Sequence, residues 1–96
     1  MKGINKNMSL KGGYKIIDFK DINLVTGTAS TITGVYDAIK SNSRKAILIS
    51  GIVIDGVKMA DSFVELSVVS TNYTGTLYGK TLTITKADAV TVKASA

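Results

Sequence analysis

Residues 46–59 read Ala-Ile-Leu-Ile-Ser-Gly-Ile-Val-Ile-Asp-Gly-Val-Lys-Met, and this stretch decides the fold class. Ala46 to Ser50 is apolar on successive positions, as in a central strand covered on both faces. From Ile52 onward the pattern is that of a hairpin. Asp55-Gly56 is a two-residue turn pair suited to positive φ at both positions. It sets Ile54 opposite Val57 and Ile52 opposite Met59, so all four are expected on one face, with Val53 and Lys58 on the other.

Outward from this hairpin the chain stays β-rich. Ile, Val and Thr supply 31 of the 96 residues, and branching at Cβ favours pleated strands over helices. Phe63 to Val69 reads as one strand with Val64, Leu66 and Val68 on its apolar face, turned by Ser70-Thr71-Asn72. A second hairpin is expected to carry Gly79-Lys80 at its tip, with Leu77 across from Leu82 and Tyr78 across from Thr81. Thr81, Thr83 and Thr85 alternate to the other side. Lys86 to Ala89 turns the chain, and Val90 and Val92 continue the core face of a last strand.

Before the hairpin, Tyr14 to Phe19 and Ile22 to Val25 are short strand candidates, and Thr26 to Thr31 reads as a connection. Ile32, Val35, Tyr36 and Ile39 stand at i, i+3, i+4 and i+7, which predicts one amphipathic helix over 31–41 with Ser30 or Thr31 as its N-cap. Residues 1–13, polar and ending in Gly12-Gly13, read as a flexible N-terminal arm, and 14–96 as a single β-rich domain. The fold class is therefore α+β, mainly β: one short helix packed on a meandering, mostly antiparallel sheet or small sandwich.

Composition excludes much chemistry. There is no His, Cys, Trp or Pro. No imidazole base, thiolate nucleophile, disulfide framework or zinc ribbon can be built from this chain. Gly79-Lys80-Thr81 ends like a phosphate loop, but position 74, where the first glycine belongs, is Thr, and the segment that follows alternates as a strand. The seven carboxylates form no calcium-loop spacing, and Asp55 and Asp88 are accounted for by turns. Asn7-Met8-Ser9 and Asn72-Tyr73-Thr74 match the glycosylation sequon without a signal peptide beside them. No catalytic residue, cofactor or metal ligand is expected.

The net charge of +5 rests on eleven lysines and Arg44. Lys2, Lys6, Lys11, Lys15 and Lys20 recur through the first fifth of the chain. Nucleic-acid readers more often show arginine clusters interleaved with aromatics, and of the six aromatic residues only Tyr73 and Tyr78 stand close enough in sequence to form a stacking platform. The lysines are expected mainly to confer solubility and to guard strand edges. No segment approaches the roughly 20 apolar residues of a membrane span, so a soluble chain without a secretion signal is expected.

The order of elements from Val35 to Val92 resembles a small domain of head-fibre and related virion proteins of tailed bacteriophages. The resemblance is carried by the helix V-Y-D-A-I-K, the strand K-A-I-L-I-S-G, the I-x-I-D-G hairpin, the D-x-F-V strand entry, the aromatic Y-G-K-T hairpin and the closing L-T-I-T-K-A-D-A-V-T-V. It implies a non-enzymatic structural role on the virion, or in the bacterial cytoplasm before assembly. The partners it implies are a capsid protein and further copies of the same chain, often as a trimer. On that reading Lys2, Lys6, Lys11, Val53, Phe63 and Val69 are the candidate interface residues. The alternative is a small basic nucleic-acid-binding module, motivated by the charge alone.

Overall fold

The computed structural model describes residues 10–11 and 13–94. Its elements run β1 (Leu10–Lys11), β2 (Tyr14–Asp18), β3 (Asn23–Leu24), β4 (Ser30–Thr31), α1 (Val35–Lys40), β5 (Ala46–Ser50), β6 (Ile52–Ile54), β7 (Val57–Met59), β8 (Ser62–Glu65), β9 (Ser67–Val69), β10 (Asn72–Leu77), β11 (Lys80–Ile84) and β12 (Ala89–Ala94). They form a four-stranded sheet β1-β2-β5-β8, a five-stranded sheet β4-β12-β11-β10-β9 and a three-stranded sheet β3-β6-β7. The chain is α+β and mainly β. The pairings are antiparallel except β2 with β5 and β3 with β6, which are parallel.

β5 is a central strand, flanked by β2 and β8. Ile47 and Ile49 are fully buried and join the main core, whereas Leu48 is equally well covered but faces the opposite side. The core gathers side chains from all three sheets and the helix, among them Phe19, Leu24, Ile39, Ile52, Leu77, Leu82, Ile84, Val90 and Val92. No polar or charged side chain is buried with them among the described residues. The hydrophobic effect therefore acts here without a buried-polar penalty to offset.

The β6–β7 hairpin has the predicted register: Ile54 pairs with Val57, Val53 with Lys58 and Ile52 with Met59. Asp55 (φ 50) and Gly56 (φ 80) occupy the left-handed region that such a turn demands. Burial is shared unequally. Ile52 and Ile54 are buried and Met59 half-buried, but Val57 is exposed, because β7 is an edge strand and its turn end projects past the core.

Five other expectations need correction. The helix spans Val35–Lys40, and its N-cap is Gly34 at φ 85, not Ser30 or Thr31. Ser30 and Thr31 instead pair with Val90 and Ala89 as β4, within the expected connection Thr26 to Thr31. The cap comes from Asp88, whose carboxylate accepts the N–H of Gly34 at 2.9 Å and that of Tyr36 at 3.0 Å. Ile32 precedes the helix but is buried with it. At the other end the Lys45 ammonium donates to the carbonyls of Ile39 and Lys40, where the helix dipole favours a cation.

The expected strand from Phe63 to Val69 is broken at Leu66. Its N–H donates to the Lys45 carbonyl at 2.8 Å, and the chain then leaves the first sheet for the second. Val64 and Leu66 are buried, but Val68 is exposed, since beyond the break it lies on an edge strand. The β10–β11 tip is Tyr78-Gly79 rather than Gly79-Lys80. Leu77 pairs with Lys80, Thr76 with Thr81 and Gly75 with Leu82. Tyr78 (φ 49) and Gly79 (φ 76) are both left-handed, as a type I′ turn requires. Finally, Leu10 and Lys11, within the expected flexible arm, pair antiparallel with Lys15 and Tyr14. The rest of the arm, residues 1–9 and 12, lies outside the described residues.

The Asp88 cap has a testable pH dependence. Its carboxyl is held below the ordinary aspartate range by the N–H of Gly34 and then that of Tyr36, against a smaller opposing effect of desolvation. A lowered folded pKa contributes stability that is fully present above the unfolded value of about 3.9 and is lost as pH falls through the folded one. Asp88→Asn keeps a residue type that tolerates the left-handed φ of 62. At neutral pH it should lower the melting temperature by on the order of 5 °C. In thermal melts at stepped pH, the gap between parent and variant should narrow towards about pH 2. A gap that stays constant with pH would refute the charge-dependent cap.

Candidate docking surface

Side-chain alternation divides the four-stranded sheet into two faces. Ile17, Ile47, Ile49 and Val64 face the core. The in-register row Ile16, Leu48 and Phe63 faces the other way. Tyr14 stands on this outer face beside Phe63, with ring centroids 4.8 Å apart and planes tilted by 59°. The Arg44 guanidinium lies 4.1 Å from the Tyr14 ring centroid, and its Nη1 donates to the Gly13 carbonyl at 3.1 Å. Ring, ring and guanidinium thus form a continuous stack, an arrangement favoured by the aromatic quadrupole. Phe63 is 56% exposed despite these contacts.

An open groove of about 590 Å³ runs beside Phe63, lined further by Glu65, Ser67, Thr74, Thr76 and Thr81. Thr74 pairs with Thr83, Thr76 with Thr81 and Thr83 with Thr91, so the outer face of the second sheet carries threonines in register. A second groove of about 310 Å³ lies between Tyr14, Arg44 and Glu65. Glu65 borders both. The two sheets approach closely at Gly75, where a Cβ would stand 2.6 Å from Val64 Cγ1 and 2.8 Å from the Glu65 carbonyl oxygen.

The residues singled out from sequence are divided by this geometry. Phe63 and Val69, each 56% exposed, lie on β8 and β9, which follow one another across the Leu66 break. Val53 is half-buried in the third sheet. Lys11 belongs to the edge strand β1, and Lys2 and Lys6 lie outside the described residues. Tyr73 and Tyr78 form no platform. Tyr73 is buried against Tyr36, with ring centroids 5.0 Å apart, and burial pushes its phenol pKa up, with the neighbouring Tyr36 adding to it. The Tyr78 hydroxyl donates to the Ala60 carbonyl.

Tyr14 and Arg44 were missed as partners of Phe63. No local signal marks them, because the cluster is assembled by the parallel β2–β5 pairing and the antiparallel β5–β8 pairing. Asp55 does more than shape its turn. Its carboxylate accepts the Thr26 N–H at 2.8 Å and the Thr26 hydroxyl at 2.7 Å, which lowers its pKa and fastens the hairpin tip to the segment after β3. Lys58 and Asp21 form an exposed ion pair whose solvation leaves it little energetic weight. Among the described residues no three Asp or Glu side chains gather as a metal site would require.

Compared with protein-family models, with curated proteins and with solved structures, the chain finds no match. Among the described residues no helix is long and apolar enough to cross a membrane.

Proposed function

We propose that this chain is a non-enzymatic virion structural or accessory protein of head-fibre or capsid-decoration type, acting by self-association and by docking on a capsid protein. The observation that carries this reading is the concentration of outward apolar side chains at the β8–β9 junction. Phe63, Val68 and Val69 are all more than half exposed there, beside an open groove, on backbone fixed by two sheets. Exposed apolar groups on rigid strands suit contact with another protein surface. The sequence resemblance supplies the particle, and the absence of His and Cys removes the commonest catalytic groups.

The test combines mass and location. Light scattering at high micromolar concentration should give a multiple of the 10.1 kDa chain mass, and peptides of the chain should be found in purified phage particles from the host that encodes it. A strict monomer absent from particles would overturn the proposal.

One observation favours a second reading, a small nucleic-acid-binding module. Tyr14, Phe63 and Arg44 provide the grouped aromatics and cation that base stacking uses. Glu65 beside them opposes it. Binding of a single-stranded oligonucleotide at about 50 mM salt, weakening steeply as salt rises, would establish this reading; no binding at that salt would eliminate it.

A further inference from the structure

We propose that β9 is a homotypic association edge, at which two copies of the chain pair antiparallel about a two-fold axis through Val68 and join their five-stranded sheets into one. The proposal rests on the self-association half of the reading above and is independent of the virion half.

Hydrogen-bond direction comes first. The β9–β10 hairpin has a two-residue turn, Ser70-Thr71, closed by the pair Val69–Asn72. In such a hairpin the closing pair exchanges both backbone bonds, and so does every second pair beyond it. Ser67 and Val69 therefore spend their amides and carbonyls on β10, while the N–H and C=O of Val68 point away from the sheet. Among the described residues no strand lies on that side of β9.

The character of the edge comes second. Natural sheets guard their edges with lysine, proline, bulges or very short strands. β3 and β4 are each two residues long, β7 carries Lys58, and β8 carries Glu65 and lies against β10. β9, three residues long like β7, carries neither a charged side chain nor a proline. Ser67, Val68 and Val69 are all exposed, Val68 at 60% and Val69 at 56%.

Charge selects the occupant. From Leu66 to Asn72 there is no ionisable side chain, in a chain of net charge +5. Two identical basic molecules repel wherever lysines face one another, and this edge is where they can approach with none in the contact. An acidic or basic peptide would find no complementary charge there. A two-fold arrangement is self-complementary: Val68 exchanges both of its outward bonds with its counterpart, and Ser67 lies opposite Val69 on each side. The residual repulsion between two +5 molecules means that added salt should strengthen the association.

The experiment places charge at the axis. The parent chain should show a mass rising towards twice the monomer's at roughly 0.5 mM in light scattering. Val68→Lys and Val68→Glu should each weaken this self-association at least tenfold, because each sets like charges face to face. An equimolar mixture of the two should regain a dimer at low salt. Val57→Lys, at an equally exposed position on β7, should behave as the parent, and melting curves at low micromolar concentration should show every variant folded. A parent chain that stays monomeric overturns both this proposal and the self-association reading. A parent dimer that survives both Val68 substitutions, a mixture that fails to recombine, or a trimer overturns the β9 edge alone.

Discussion

Gly75→Val should abolish cooperative folding. Gly75 stands in the middle of β10 opposite Leu82, where the β8 chain passes close to the sheet. Even the first added carbon would lie 2.6 Å from Val64 Cγ1 and 2.8 Å from the Glu65 carbonyl oxygen. Neither neighbour can give way cheaply. Val64 is buried, and the Glu65 backbone is fixed by its pairing with Ala46 on β5. Forcing extra carbons into packed structure costs about 1–3 kcal/mol at ordinary sites. A domain of this size has about 5–15 kcal/mol in total, and here the obstacle is backbone as well as side chain. Gly75→Ala should lose about 1–3 kcal/mol and valine the whole transition. Circular-dichroism melts are the measurement, with the exposed neighbour Thr76→Val as a control that should barely move. A Gly75→Val protein melting within a few degrees of the parent would show that the two sheets separate more readily than their packing implies.

The sequence announces that glycine only as a weakness in a strand, and this marks a broader division. Features fixed by neighbours in the chain were legible. The β6–β7 register follows from Asp55-Gly56, because that pair demands left-handed backbone at two consecutive positions and so pins both strands. The core positions of the closing strands, Leu82, Ile84, Val90 and Val92, follow from alternation alone and are all fully buried.

Features fixed by distant groups were not legible. The helix pattern begins at Ile32, which is indeed buried, yet helical backbone begins only at Val35. What decides the start is a carboxylate that arrives from the turn before β12. The position of the Tyr78-Gly79 tip is illegible for another reason. Moving the turn by one residue changes each pairing by two, which leaves Leu77 and Leu82 on the same face, so the hydrophobic pattern cannot distinguish the two registers. Val68 shows the limit of periodicity most directly. Its alternation with Val64 and Leu66 is unbroken, but the partner sheet changes at Leu66, and the same parity then points to an open edge.

The Tyr14–Phe63–Arg44 stack belongs to this second class. Its members stand on three separate segments, and only the order β2-β5-β8 brings the rings together. Phe63, a candidate named from sequence, is exposed, but the group it stands with stays hidden until the strand order is known.

Ile49→Ala should cost about 2–5 kcal/mol, the expected loss for a large aliphatic side chain removed from a rigid core. Ile49 is fully buried, pairs with Ile17 on β2 and Ser62 on β8, and sits in a strand bonded on both edges, so the surroundings have little freedom to close on the space left. For a domain of this size each kcal/mol shifts the midpoint by about 4–8 °C, giving a fall of roughly 8–40 °C. A fall of only a degree or two would mean that the cavity closes and that β5 is not the rigid centre of its sheet. The variant also separates stability from surface function. The β9 edge is positioned by β10, in a different sheet from the one that holds Ile49. Well below its lowered midpoint, Ile49→Ala should therefore associate as the parent does. Val68→Lys should show the reverse, an unchanged melt at low micromolar concentration and a lost dimer. If both substitutions instead lowered stability and association in step, the core and the edge would be one cooperative unit, and association would depend on global stability rather than on the uncharged row from Leu66 to Asn72.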